Sequence, residues 1–262
     1  MGADVTVLIP SYNPGRYLLE ALDSVFKQTY KNWHIIVIDD ASTDNSITLA
    51  KHYIHDPKVT LLRNTRNIGQ VKSLNRGLVL VETPYTVQLD SDDWFFPDSL
   101  QVLVSAAEEL PLNVALISGN IKLVIEDPSA KVIREEIWKN RSFKERYDFL
   151  LADCSQWPRF YRTHALKSFG GWPTYGPYEG RYMEDRRILY RLIEDYEFKW
   201  INHDLYIHRR HAKNQTNLIQ IYNEMTEWVV CDALKRWGDQ YDPVFREDSS
   251  GRKRIIGLKS KT

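Results

Sequence analysis

The sequence is poor in cysteine, in net charge and in long apolar runs, and each shortage removes a class of protein. Cys154 and Cys231 are the only cysteines among 262 residues. Two distant thiols supply neither a disulfide framework nor zinc-ligand spacing, so a reduced, cytoplasmic setting is expected. Lys plus Arg number 35, and Asp plus Glu also number 35, for a formal net charge of zero. Such a chain projects no global positive field, which argues against a nucleic-acid partner. No apolar run reaches the ~18 residues that a membrane-spanning helix needs, and no secretory signal opens the chain. A GxGxxG turn is missing too, which argues against a dinucleotide-dependent enzyme. Met1-Gly2 with Thr6 matches a myristoylation pattern in letter only, because Val5-Thr6-Val7-Leu8-Ile9 reads as a buried strand.

What is present fits one α/β domain. An apolar fraction of 43% suffices for an ordinary core. Apolar runs at residues 4–9, 34–38, 59–62, 85–89 and 114–117 read as strands. Helix-period segments lie between them, over 16–27, 44–54, 69–81 and 98–109. Strand–helix alternation at this rhythm predicts a mostly parallel central sheet flanked by helices. The second half is less regular. A hairpin is expected over 121–138 with its turn at Asp127-Pro128-Ser129, and helices over 142–151, 184–194 and about 217–237, with strands near 197–209. Asn140-Arg-Ser142 and Asn214-Gln-Thr216 match glycosylation acceptors, a tripeptide that chance supplies often.

Ligands of such sheets bind outside the carboxyl ends of the strands. Acidic residues collect there. Asp39-Asp40 follow the second strand, and Asp90-Ser91-Asp92-Asp93 follow the fourth. Three carboxylates within four residues repel one another, and a divalent cation shared with substrate phosphates relieves that repulsion. A solvated turn or helix cap is the competing reading. Asp39-Asp40 alone could equally form an Asx-type turn with Ser42 and Asp44.

These segments, taken together, resemble the family 2 glycosyltransferases of the GT-A fold. The resemblance rests on Val7-Leu8-Ile9-Pro10-Ser11-Tyr12-Asn13, Ser24-Val25-Phe26-Lys27-Gln28-Thr29-Tyr30, Val37-Ile38-Asp39-Asp40-Ala41-Ser42-Thr43-Asp44, Asn67-Ile68-Gly69 and Leu89-Asp90-Ser91-Asp92-Asp93. Their order and spacing fit across residues 4–100, and more loosely to about 217. The resemblance implies a nucleotide-sugar donor and a divalent metal, Mn2+ or Mg2+. Pro10, Tyr12, Asn13 and Asp40, with Asp39 nearby, would hold the nucleobase end. Asn67 and Gly69 would line the nucleotide pocket, and Asp90 and Ser91 would approach the ribose or metal. Asp92 would be the main metal ligand, with Asp93 as the alternative and His211 as a third. Glu184-Asp185 look like the acidic pair that carries the family's catalytic base, which would be Asp185. Helix-start acids favouring the macrodipole are the plain alternative.

On this reading residues 1–120 bind the donor, 121–240 form the acceptor-binding and catalytic half of the same domain, and 241–262 are a basic tail. The tail is expected to be a solvated coil, with contact to a membrane surface as the other option. The loop 170–180 carries Trp172, Tyr175 and Tyr178 and suits a lid or sugar platform. Trp157 could be an acceptor platform or core. Gln156-Trp157-Pro158-Arg159-Phe160 only echoes the Gln-x-x-Arg-Trp motif of processive members, so single-sugar addition is expected. The implied reaction is single displacement with inversion, from a UDP-sugar to a hydroxyl of a glycan, lipid-linked or protein acceptor. The alternative is a sugar-nucleotide-binding or nucleotidyltransferase-like protein without transferase activity. Acceptor identity and oligomeric state are not legible.

Overall fold

The structure is a computed structural model that describes residues 4–211 and 218–261. The glycosylation-type tripeptide at 214–216 and the chain's last residue lie outside that range.

The first half follows its apolar pattern closely. Strands β1 (Val5–Ser11), β2 (Trp33–Asp39), β3 (Val59–Arg63) and β4 (Tyr85–Gln88) pair side by side, all parallel, in the order β3-β2-β1-β4. β1 is buried along its whole length, which is why it reads as a continuous apolar run rather than an alternating one. Alternation survives in where the side chains go. Val5, Val7 and Ile9 join one core and Leu8 joins the other, on opposite faces of the sheet. Helix α1 (Tyr17–Phe26) packs Leu18, Ala21, Leu22 and Val25 against the first core, and α4 (Gln70–Val79) packs Val71, Leu74 and Leu78 against the second. At Gly77 of α4, an added Cβ would stand 3.0 Å from Ile38 and 3.2 Å from Leu8. A glycine therefore lets this helix lie close on the sheet.

Two differences from the sequence pattern arise here. The segment expected as one helix over 44–54 is two single turns, α2 (Ser46–Leu49) and α3 (Lys51–Ile54). Between them Ala50 leaves the helical path (φ −80°, ψ 4°). After β4 comes a two-residue strand, β5 (Trp94–Phe95), too short to leave a periodic signal. Helix α5 (Ser99–Glu109) then covers the first core.

The second half completes the sheet with mixed pairing. Strand β6 (Val114–Glu126) runs thirteen residues and turns at 127–131 into β7 (Val132–Trp138), the expected hairpin. Helix α6 (Arg146–Ala152) leads to β8 (Arg159–Arg162), which wedges antiparallel between β4 and β6. Helices α7 (Thr163–Ser168) and α8 (Glu184–Leu192) precede β9 (Glu197–Arg210), one long strand parallel to β6. The full order is β3-β2-β1-β4-β8-β6-β9-β5, with β7 on β6. The parallel expectation thus holds for the first four strands and gives way to mixed pairing beyond β4.

Residues 219–260 also form regular structure. Helix α9 (Ile219–Arg236) is followed by strands β10 (Tyr241–Glu247) and β11 (Lys253–Ser260), which form an antiparallel hairpin. Ile255 is buried, and Tyr241, Phe245 and Leu258 pack on the core, so the expectation of a solvated coil is corrected. Alternating apolar residues anchor one side of the hairpin, while Arg252 and Arg254 line the cleft described below. Among the described residues no helix is long and apolar enough to cross a membrane.

Candidate active site

The carboxyl ends of β1, β2 and β4, the start of β8, the first turn of α8 and the end of β9 meet at one cleft of about 1280 Å³. Every site residue expected from the sequence lines it except Asp39. The Asp39 carboxylate is wholly buried and turns aside, accepting from the Ser42 amide (2.9 Å) and from Arg63 Nε (3.1 Å). It fixes the loop after β2.

The wall after β1 and β2 is built by loops that lock each other. Asn13 Oδ1 accepts from the amides of Thr43 (2.7 Å) and Asp44 (3.2 Å), and Asp44 accepts from the Gly15 amide (2.8 Å). Asp40 accepts from Asn64 Nδ2 and from the amides of Ile68 and Gly69, at 2.7, 2.8 and 2.8 Å. A carboxylate has about four acceptor sites, so one remains open on Asp40. Gly69 sits at φ +89°, a conformation that favours glycine. Asn67 lines the same wall, and Tyr12 is 52% exposed, its ring open to a ligand.

The acidic loop after β4 divides its labour. Asp93 is buried and accepts from Tyr206 Oη (2.8 Å) and the Arg209 amide (2.8 Å), with His208 Nδ1 at 3.0 Å. It anchors the loop, and its lone pairs are largely used. Tyr206 also accepts from the Asp90 amide at 3.2 Å. Burial first, and the Asp93 carboxylate second, hold the Tyr206 phenol well above its ordinary value, so it stays a donor. Asp92 faces the cleft with His211 Nε2 3.1 Å away, and Tyr17 stacks on the His211 ring at 5.2 Å. Among the described residues no three His, Cys, Asp or Glu side chains gather closely enough to hold a metal. Asp92 and His211 could hold one if substrate phosphates and water completed the shell.

Arg159, at the start of β8, was not legible as a site residue. It is 2% exposed and joins two acids far apart in the chain. Its Nη2 donates to Asp90 at 3.0 Å, and Nη1 lies 3.6 Å from Asp185. Gln70 repeats the link, with Nε2 3.3 Å from Asp90 and 3.1 Å from Glu184. Burial raises the Glu184 carboxyl, the neighbouring Asp185 raises it further, and Arg159 partly offsets both; it is pushed up to about 7. Met183, before Glu184, is held at φ +53°, and Tyr178 and Glu179 at +54° and +53°. Non-glycine residues in this left-handed region carry local strain, which collects at functional sites.

The expected lid behaves otherwise at one point. Trp172 is 1% exposed and packs edge-on to Tyr161 at 6.0 Å, so it is core and not a sugar platform. Tyr175 and Tyr178 are open to solvent but tethered to α9 through Asp232 and Glu224, each at 2.7 Å. Trp157 lines the cleft and stacks on His208 at 5.4 Å.

The sequence pattern described as Glycosyl transferase family 2 matches residues 6–170, more than half of the chain. The chain belongs to glycosyltransferase family 2. Its fold is of the GT-A type expected from its motifs. Glycosyltransferase GlyA of Streptococcus pneumoniae is 30% identical over 205 residues, 78% of this chain but 28% of GlyA. The match therefore spans little more than a quarter of that relative. Among solved structures, Staphylococcus aureus TarS 1-349 in complex with UDP-GlcNAc is similar at TM-score 0.68 and 18% identity, over 89% of this chain and 66% of that chain. Mannosyltransferase PcManGT from Pyrobaculum calidifontis, in complex with GDP-Man and Mn2+, is similar at TM-score 0.62 and 16% identity, over 91% and 76%. At such identities the likeness concerns the fold.

Proposed function

We propose that this glycosyltransferase is metal-dependent and inverting, and moves one sugar from a UDP-sugar to a hydroxyl of a glycan, lipid-linked or protein acceptor. The observation that carries the reading is the meeting of Asp90, Asp92 and His211 with Glu184 and Asp185 in one cleft. Nucleotide sugars in the TarS and PcManGT structures add support for the donor class, and Mn2+ in the latter for the metal.

The donor base and ribose would lie along Tyr12, the open acceptor site of Asp40, and Asn67. A divalent cation held by Asp92 and His211 would neutralise the charge that develops on the leaving diphosphate. Arg159 ties Asp90 and Asp185 to one guanidinium, which fixes both carboxylates at the cleft. Asp185 takes the acceptor hydroxyl proton as its oxygen attacks the anomeric carbon from the face opposite the leaving group. Glu184 is a second candidate for that role. A carboxyl near 7 is better matched to proton acceptance at neutral pH than an ordinary one.

The test is transfer from a panel of nucleotide sugars with Mn2+ or with a chelator, with the product anomer read by NMR. Inverted product that disappears on chelation is expected. Retained configuration, or full turnover in the chelator, would overturn the reading. Loss of turnover with intact UDP binding in Asp185→Asn but not in Glu184→Gln assigns the base to Asp185, and the reverse pattern assigns it to Glu184.

A further inference from the structure

The cleft extends past the carboxylates into a second end that the donor does not need. This end is walled by Asp153 and Cys154 just after α6, the first turn of α9, the end of β9 and the β10–β11 hairpin. It is rich in guanidinium groups. Arg186 follows Asp185 directly and pairs with Asp153, whose other oxygen lies 3.3 Å from Arg254. Arg254 is also 3.2 Å from Asp248. Arg210, Arg252 and Arg254 line the same cleft, and Arg210 lies over the Trp138 ring at 5.7 Å. Its Nε is buried and has no hydrogen-bond partner among the described residues.

The placement is built, not incidental. Tyr206, His208 and Arg210 alternate along β9, which sends Arg210 to the same cleft as His208. Asn223 of α9 clasps the hairpin turn, donating to the Gly251 carbonyl (2.8 Å) and accepting from the Lys253 amide (2.7 Å). That clasp aims Arg252 and Arg254 into the cleft, where Arg252 lies over the Tyr222 ring at 5.9 Å. Three guanidinium groups lining one partly buried cleft attract an anion more strongly than they would in open water. Forked guanidinium donors match the oxygens of a phosphate.

We propose that this end is the acceptor subsite, and that Arg210, Arg252 and Arg254 bind a phosphate carried by the acceptor saccharide. The proposal rests on the glycosyltransferase reading above and names the acceptor's chemistry. The phosphate sits beyond the sugar whose hydroxyl meets Asp185, so it orients that hydroxyl. A soluble sugar phosphate and a lipid-linked one present the same group.

The test is calorimetric binding to the full chain in the presence of saturating UDP and Mn2+. The probes are the 1-phosphates of glucose, galactose and N-acetylglucosamine, the methyl glycosides of the same sugars, and the same phosphates extended as diphosphates with a short alkyl tail. At least one phosphate is expected to bind about tenfold or more tighter than its methyl glycoside, and the Arg210→Gln/Arg252→Gln double variant is expected to abolish that preference with UDP affinity unchanged. The unchanged UDP titration also shows that the variant is folded. A tail that adds affinity assigns the source to a lipid-linked acceptor; a tail without effect assigns it to a soluble one. Equal binding of phosphates and glycosides across the panel, or a preference that survives the double variant, overturns the proposal. So does a loss confined to UDP affinity, which would make the cluster part of the donor site. Phosphate binding without any UDP binding would uphold the subsite and sink the donor reading instead.

Discussion

Replacing Glu184 with Gln should make the protein more stable at pH 8. The Glu184 carboxyl is held at about 7 against an ordinary 4.5, by burial, then by Asp185, with Arg159 offsetting in part. A carboxyl whose folded value exceeds its unfolded one destabilises the fold as pH rises. The unfolded chain releases the proton near 4.5, whereas the folded chain keeps it to about 7. Stability from this group is complete below pH 4.5 and is lost progressively up to about 7. Each pH unit corresponds to 1.36 kcal/mol, so the loss by pH 8 is about 3 kcal/mol. Gln cannot ionise, and its carbonyl oxygen can still accept from Gln70 Nε2, which lies 3.1 Å from Glu184. The variant should therefore gain about 3 kcal/mol at pH 8 and under about 1 kcal/mol at pH 5. For a chain of this length about 2 °C accompanies each kcal/mol, so the melting midpoint should rise by about 6 °C at pH 8. Urea unfolding at the two pH values reads the difference directly. A gain of the same size at both, or a loss at pH 8, would refute the assignment of a raised carboxyl. Such an outcome would also remove the case for Glu184 as a proton acceptor.

Arg159→Met should cost about 3–5 kcal/mol, a drop of roughly 6–10 °C, because it leaves Asp90 and Asp185 without the buried cation between them. A drop under 2 °C would mean that the pair is not coupled. Tyr206→Phe removes a 2.8 Å bond to the Asp93 carboxylate and should cost about 2 kcal/mol in urea unfolding. No measurable loss would show that His208 and the Arg209 amide hold Asp93 alone. Trp172→Ala should destabilise by about 3–5 kcal/mol while leaving the acceptor KM unchanged at temperatures where the fold persists. A raised KM with little loss of stability would restore Trp172 as a platform.

Legibility from sequence followed burial. Strands β1 to β4 are apolar runs that must be covered on both faces, and the acids behind β2 and β4 stand out against them. That is why Asp40, Asp90, Asp92 and Asp93 could be named before any fold was known. Glu184 and Asp185 stood out only through the family resemblance, since acids at a helix start are otherwise accounted for by the macrodipole. Arg159 escaped because a four-residue strand flanked by arginines has no periodic signature, and its partners come from residues 90 and 185. The pairing of β8 with β4, which sets Gln88 opposite Arg159, is a property of the sheet alone. Tyr206 could have been found from its two-residue spacing to His208, once residues 197–210 were known as one strand. Asp39 was misplaced for a matching reason. Adjacent residues at a strand end point to opposite sides, and sequence does not say which of Asp39 and Asp40 turns inward. The β10–β11 hairpin was hidden by its charge, since only one side of it is covered.

Arg159 has a further consequence through the strand it occupies. β8 is the seam at which the parallel block stops and the mixed block starts, and its guanidinium reaches an acid from each. The cluster of Asp90, Arg159 and Asp185 therefore forms only once both blocks have docked. A fragment ending before β8 would lack Arg159 and Asp185 and leave Asp90 without its buried cation.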